Sequence, residues 1–145
     1  MEVEKVQRAR YKMNGQVSKY LILISLISFH SHNLKFVYLH NLIVSYRGTA
    51  QHNCKSIAEE GYLLCKGERF AFGRGIYSTP DIDVALLYAK QFSHEGNNYK
   101  AVIQNRVNPN NLVRISKQEN GVGEYWISPK EADLRPYGIC IKKNN

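Results

Sequence analysis

Between Lys5 and Ala58 the chain has no aspartate or glutamate. That absence makes its two parts electrically unlike. Residues 1–58 carry eight Lys and Arg against two acids, residues 59–145 carry twelve against ten, and +6 of the formal +8 therefore sits in the first part. A positive balance suits a nucleic-acid or phosphate-rich partner. Here Lys5, Arg8, Arg10, Lys12 and Lys19 are spread thinly, as in a solvated arm, and no predicted face interleaves Lys/Arg with aromatics as a single-strand grip does. Nucleic acid is only weakly supported as a partner. Cysteine is also scarce. Cys54, Cys65 and Cys140 are odd in number and too widely spaced for a zinc knuckle. This argues against a disulfide framework and points to a reducing, intracellular setting, cytoplasmic or nuclear. None of the three stands in a recognisable nucleophile setting.

Long apolar runs are missing as well. The unbroken apolar-plus-serine stretch Tyr20 to Phe29 is ten residues, where a membrane span needs roughly 20. His30, His32, Asn33, Lys35, His40 and Asn41 interrupt any extension, so there is no firm membrane signal. Nineteen residues precede the stretch and no small-residue cleavage site follows it, unlike a secretory leader. His30, His32 and His40 have no evident fourth ligand, and no metal site is assigned. There are no internal repeats.

What is present reads as one globular domain: 145 residues, 43% apolar and 22% charged, enough to bury a single core. The composition breaks near residue 41. Residues 1–41 form an atypical basic/apolar segment, read as an insertion or a gene-model artefact, and the stretch 20–44, which overlaps its end, is expected to form a helix by default or to pair partly with a sheet. Residues 42–145 are better patterned. A strand over 42–47 ends at Gly48, and a helix over about 53–60 stops at Gly61. Gly73 and Gly75 turn the chain into a strand at Ile76–Thr79. Ser78 with Asp81 predicts a capping box, Pro80 a first turn, and Ile82, Ala85, Leu86 and Ala89 a helical face through about residue 91. Strands follow at 99–107, 112–116, 123–128 and 137–142, with Asn108–Asn111 as a turn. Strand, helix, strand, helix and then a run of strands make an α/β or α+β fold with a mixed sheet.

Four pieces taken in order, "YRGT" at 46–49, "FGRGIYST" at 72–79, the helix carrying Tyr88 and "GEYWI" at 123–127, resemble the catalytic domain of the poly(ADP-ribose) polymerase-like, diphtheria-toxin-type ADP-ribosyltransferases. The resemblance covers about Ser45 to Ile141. It implies a split mixed sheet with short flanking helices, NAD as co-substrate, cleavage of the nicotinamide–ribose bond and transfer of ADP-ribose to an acceptor. A protein is the first choice of acceptor, and transfer is expected to be mono rather than poly. By motif, Gly48 would meet the nicotinamide carboxamide through its backbone, and Thr49 would lie near the adenosine-side ribose. Tyr77 and Tyr88 would hold the nicotinamide between them, and Glu124 would bond the nicotinamide ribose and stabilise the oxocarbenium-like centre. Each has a structural alternative: Tyr77 a strand aromatic, Tyr88 a core aromatic, Glu124 a solvated strand-end acid. Two departures bear on activity. Arg47 stands where the family has histidine, so that position would be filled by a longer, always-charged fork. Ala85 stands where many relatives have a serine. The rival reading is a catalytically weak or inactive pseudoenzyme that holds NAD or ADP-ribose.

Overall fold

The computed structural model describes residues 43–64 and 70–144, together with the backbone of 7–9, 12–13, 16–17 and 21–24. The longest paired strands are β8 (Asn97–Val107) and β11 (Leu134–Asn144), which run antiparallel with a register shift between Pro136 and Gly138. The other edge of β8 is shared. Strand β5 (Ile43–Thr49) pairs with its second half, and β7 (Gln91–His94) pairs with its first half. Beyond β11 lie β4 (Leu21–Ile24) and then β1 (Gln7–Ala9), and the short strands β2 (Lys12–Met13) and β3 (Gln16–Val17) pair with each other. A second, three-stranded sheet runs β6 (Ile76–Ser78), β10 (Tyr125–Ser128), β9 (Val113–Ile115).

Two core clusters lie in this framework. Ala101, Ile103 and Val107 of β8 share the first with Cys54 and Ile57 of helix α1 (Gln51–Glu60), Tyr62, Ile76 and Trp126. Val102 and Cys140 share the second with Ala85, Leu86 and Ala89 of helix α2 (Ile82–Tyr88) and its following residue. Alternation along β8 thus directs one set of side chains to α1 and the other to α2. Within the first cluster the Tyr62 hydroxyl donates to the buried Asn105 Oδ1 at 2.8 Å. Tyr62→Phe should lower stability by about 1–3 kcal/mol, because it strands that oxygen away from water. Chemical unfolding of the variant against the parent measures it.

The sheet differs from the expected mixed one. Every pairing among the described residues is antiparallel, and the chain is α+β. A parallel pair needs a crossover within one sheet. Here the connection carrying α1 leaves the larger sheet and enters the smaller one. The two sheets meet at a single antiparallel bridge, Tyr46 to Thr79, with Tyr46 N donating to Thr79 O at 2.7 Å and Thr79 N to Tyr46 O at 2.9 Å.

Local chemistry accounts for the other differences. Helix α2 is capped by Asp81, whose carboxylate accepts from Asp83 N at 2.8 Å, and not by Ser78, which is committed to β6. The helix ends at Tyr88, and Gln91–His94 turns back through Glu95 and Gly96, both at positive φ (48° and 76°). Two such residues make the tight turn whose twist suits a hairpin. Helix α3 (Lys117–Asn120) arises from a capping box, Ser116 with Glu119, that the sequence reading did not use. The expectation for 20–44 lies largely outside the described residues, but residues 21–23 do pair with Ile139–Ile141 of β11. Removing residues 1–41 would bare that edge, and an unpaired strand edge is a template for association. The remaining chain is expected to self-associate more than the parent, as read by size-exclusion chromatography.

Candidate functional site

A cleft of about 1020 Å3 opens where the two sheets part, bounded by α1, by residues 61–64 and 70–72, and by the C-terminal end of α2. Arg47, Gly48, Thr49, Tyr77 and Tyr88 all line it, so five residues named through the motif resemblance converge on one cavity. Glu124 is exposed and is not among the lining residues.

Gly48 forms part of the cleft wall. The two Tyr46–Thr79 bonds fix which edge of β5 presents its peptide groups toward β6. Peptide groups two residues apart along a strand point the same way. The N–H and C=O of Gly48 therefore face the β6 side just past the point where the bridge ends. A side chain cannot be added there. A Cβ on Gly48 would fall on Ala85 O and within 2.6 Å of Ala89 N, because α2 is packed against the bare backbone.

Arg47 ties the sheets together. Its Nη1 donates to Tyr77 O at 2.6 Å, and its guanidinium carbon stands 5.7 Å from the centre of the Tyr62 ring. The same fork geometry that distinguishes arginine from histidine lets it reach across to the neighbouring strand. Thr49 is buried, and its hydroxyl accepts from Asn53 Nδ2 at 3.3 Å, fastening the start of α1 to the end of β5.

Tyr77 secures the glycine loop before it. Its hydroxyl donates to Gly73 O at 2.7 Å and accepts from Phe72 N at 2.8 Å. Gly73 has φ 111°, a conformation side chains rarely adopt, and a Cβ on Gly75 would meet Ile127 Cγ2 at 2.5 Å. The two glycines thus answer different demands, a turn at Gly73 and close packing at Gly75. Tyr88 is 54% exposed, which sets aside its reading as a core aromatic. Its hydroxyl is hydrogen-bonded to that of Tyr125, and the two rings meet edge to face with centres 6.0 Å apart. Burial and the Tyr88 hydroxyl push the Tyr125 phenol up to about 12. Phe72 adds a third ring, 6.3 Å from Tyr125.

No protein-family model matches the chain, and no curated protein is similar to it.

Glu124 takes a position that the motif resemblance did not imply, exposed and outside the lining. Its Oε1 accepts from the Trp126 indole N–H at 2.5 Å. Tyr77 pairs with Ile127 across β6 and β10, so Tyr77, Ile127 and Tyr125 share one face and Trp126 lies on the other. The carboxylate follows Trp126, away from the Tyr77 ring. Tyr62, Phe72 and Tyr125 are aromatic lining residues that the sequence reading did not assign to the site. Tyr125 had a readable signal, since it directly follows Glu124 in a strand whose alternate residues face one way. The buried thiols play no part: burial raises both Cys54 and Cys140, the latter to about 11. Both should react with a thiol reagent only on unfolding, a rate readable against denaturant concentration. Among the described residues, no helix is long and apolar enough to cross a membrane. The three histidines at 30, 32 and 40 lie outside the described residues.

Proposed function

We propose that the cleft is an NAD site of the ADP-ribosyltransferase type, in which the chain cleaves the nicotinamide–ribose bond and passes ADP-ribose to an acceptor, a protein in the simplest case. The observation that carries this reading is the Gly48 edge. A peptide N–H and C=O side by side match the acceptor and donor of a carboxamide, and they face a cleft lined by Tyr77 and Tyr88. In the reaction the glycosidic bonding pair leaves with nicotinamide, which departs neutral. The acceptor heteroatom bonds the ribose carbon and gives its proton to a base or to water. A carboxylate near that carbon offsets its developing positive charge.

A second reading has its own support. An NAD-holding pseudoenzyme needs the cleft and not the carboxylate, and Glu124 is engaged by Trp126 outside the lining. Calorimetry with NAD, followed by an assay of nicotinamide release, separates the two. Binding with release supports the transferase, binding without release the pseudoenzyme, and absence of binding removes both. Tyr88→Ala deletes a stacking face at the cleft mouth. It should weaken NAD binding roughly tenfold, since an aromatic pair contributes about 0.5–1.5 kcal/mol beyond the area it covers.

A further inference from the structure

We propose that Trp126 is a positioning residue that withholds the Glu124 carboxylate from the cleft, and that bound NAD must draw it away before nicotinamide can leave. The inference rests on the NAD reading of the cleft and adds its regulation. Glu124 sits between two residues of opposite fate. Val122 lines the cleft, Trp126 is core, and Tyr125 next to Glu124 lines the cleft as well. The backbone around Glu124 is therefore already at the cleft rim, and its exposed side chain is held at the indole N–H of Trp126. One hydrogen bond holds it there, from a donor that is itself fixed by its packing. The indole N–H donates to Oε1 at 2.5 Å. The indole cannot follow the carboxylate outward, because Trp126 is 7% exposed and belongs to the first core cluster. Arg114, directly across β9 from Trp126, covers the ring with its guanidinium carbon 5.2 Å from the centroid. Indole offers a single donor and no acceptor, so in this bond the Glu124 oxygen accepts. A ribose hydroxyl in the cleft would compete for the same carboxylate.

Two measurements test it. Trp126 is the sole tryptophan, so its indole N–H gives one resonance in a nitrogen–proton spectrum of the intact chain. Glu124→Gln should move that resonance, and saturating NAD should move the wild-type resonance in the same direction. NAD that binds by calorimetry and leaves the resonance in place overturns the inference. Trp126→Phe keeps an apolar ring and removes the donor. Because bound NAD has already broken this bond, the variant should lower the KM for NAD about tenfold while leaving the maximal rate of nicotinamide release unchanged, and adding Glu124→Gln should abolish the gain. A change in the maximal rate alone, or a gain that survives Glu124→Gln, also overturns it. If NAD binds to neither protein, the NAD reading fails first and takes the inference with it, an outcome distinct from binding with an unmoved indole.

Discussion

Gly48→Ala should destabilise the chain by about 3 kcal/mol or more, the largest effect expected of any single methyl group here. Overpacking in a filled interior costs about 1–3 kcal/mol when side chains can yield. At Gly48 they cannot, because the atoms met are backbone: Ala85 O, Ala89 N at 2.6 Å and Tyr88 C at 3.0 Å. Relief requires α2 to lift from β5. That would open the second core cluster, where Ala85 is 1% and Val102 0% exposed. It would also carry Tyr88 away from the cleft wall. Thermal unfolding should show a fall of more than about 10 °C, since 1 kcal/mol shifts the midpoint of a small domain by roughly 4–8 °C. NAD binding should fall with it. A shift of a degree or two would mean that α2 is not seated on Gly48 as described. Gly75→Ala provides a milder comparison. Its nearest neighbour is a side-chain methyl, Ile127 Cγ2, which can move, although Ser128 O at 2.9 Å cannot.

Arg47→His should raise nicotinamide release about tenfold and lower stability at the same time. The two effects have separate origins. Histidine supplies the compact donor that the resembled family uses beside the ribose, and one well-placed bond is worth about 1.4 kcal/mol, a factor of ten in rate. It also removes the 2.6 Å bond from Nη1 to Tyr77 O and the contact with the Tyr62 ring. A hydrogen bond to a charged group contributes about 1.5–3 kcal/mol, toward the lower end for a half-buried one. Arg47→Met separates the two. It breaks the same tie and adds no donor, so stability should fall as far while release stays at the parent rate. Equal release from both variants would show that the arginine, and not the absent histidine, governs turnover. Slower release from Arg47→His than from the parent would show that Arg47 itself contacts NAD. The comparison is internal, because all three proteins keep the Trp126–Glu124 bond.

Several features were legible in the residues because they depend on short-range chemistry. Gly61 ends α1 with φ 79° and donates to Ile57 O, as a glycine after a helical run does. The β-branched run in "YKAVIQNRV" lies within β8. Arg47, Gly48, Thr49, Tyr77 and Tyr88 share one cleft because the motif order carries the order of the strands and helix that present them. The turn after α2 was misread for the opposite reason. Ala89 fits the helical period of Ile82, Ala85 and Leu86, yet Glu95 and Gly96 close a hairpin that β8 stabilises by pairing with Gln91–His94.

What the sequence by itself determined is therefore most of the elements from Ile43 onward, since capping, alternation and glycine conformation act over a few positions, while five residues that line the cleft were named through a resemblance of motifs. Only the tertiary structure decided how those residues are used. The antiparallel order of the sheets depends on where the connection through α1 lands. The requirement for glycine at 48 depends on a helix thirty-seven residues further along the chain resting on bare backbone. Arg47 points to Tyr77 O because the bridge at Tyr46 and Thr79 brings β6 beside β5. Glu124 had two destinations within reach of its own backbone, the cleft and the indole. The burial of Trp126 between the two sheets fixed the donor in place, and a carboxylate takes the side on which a fixed donor waits.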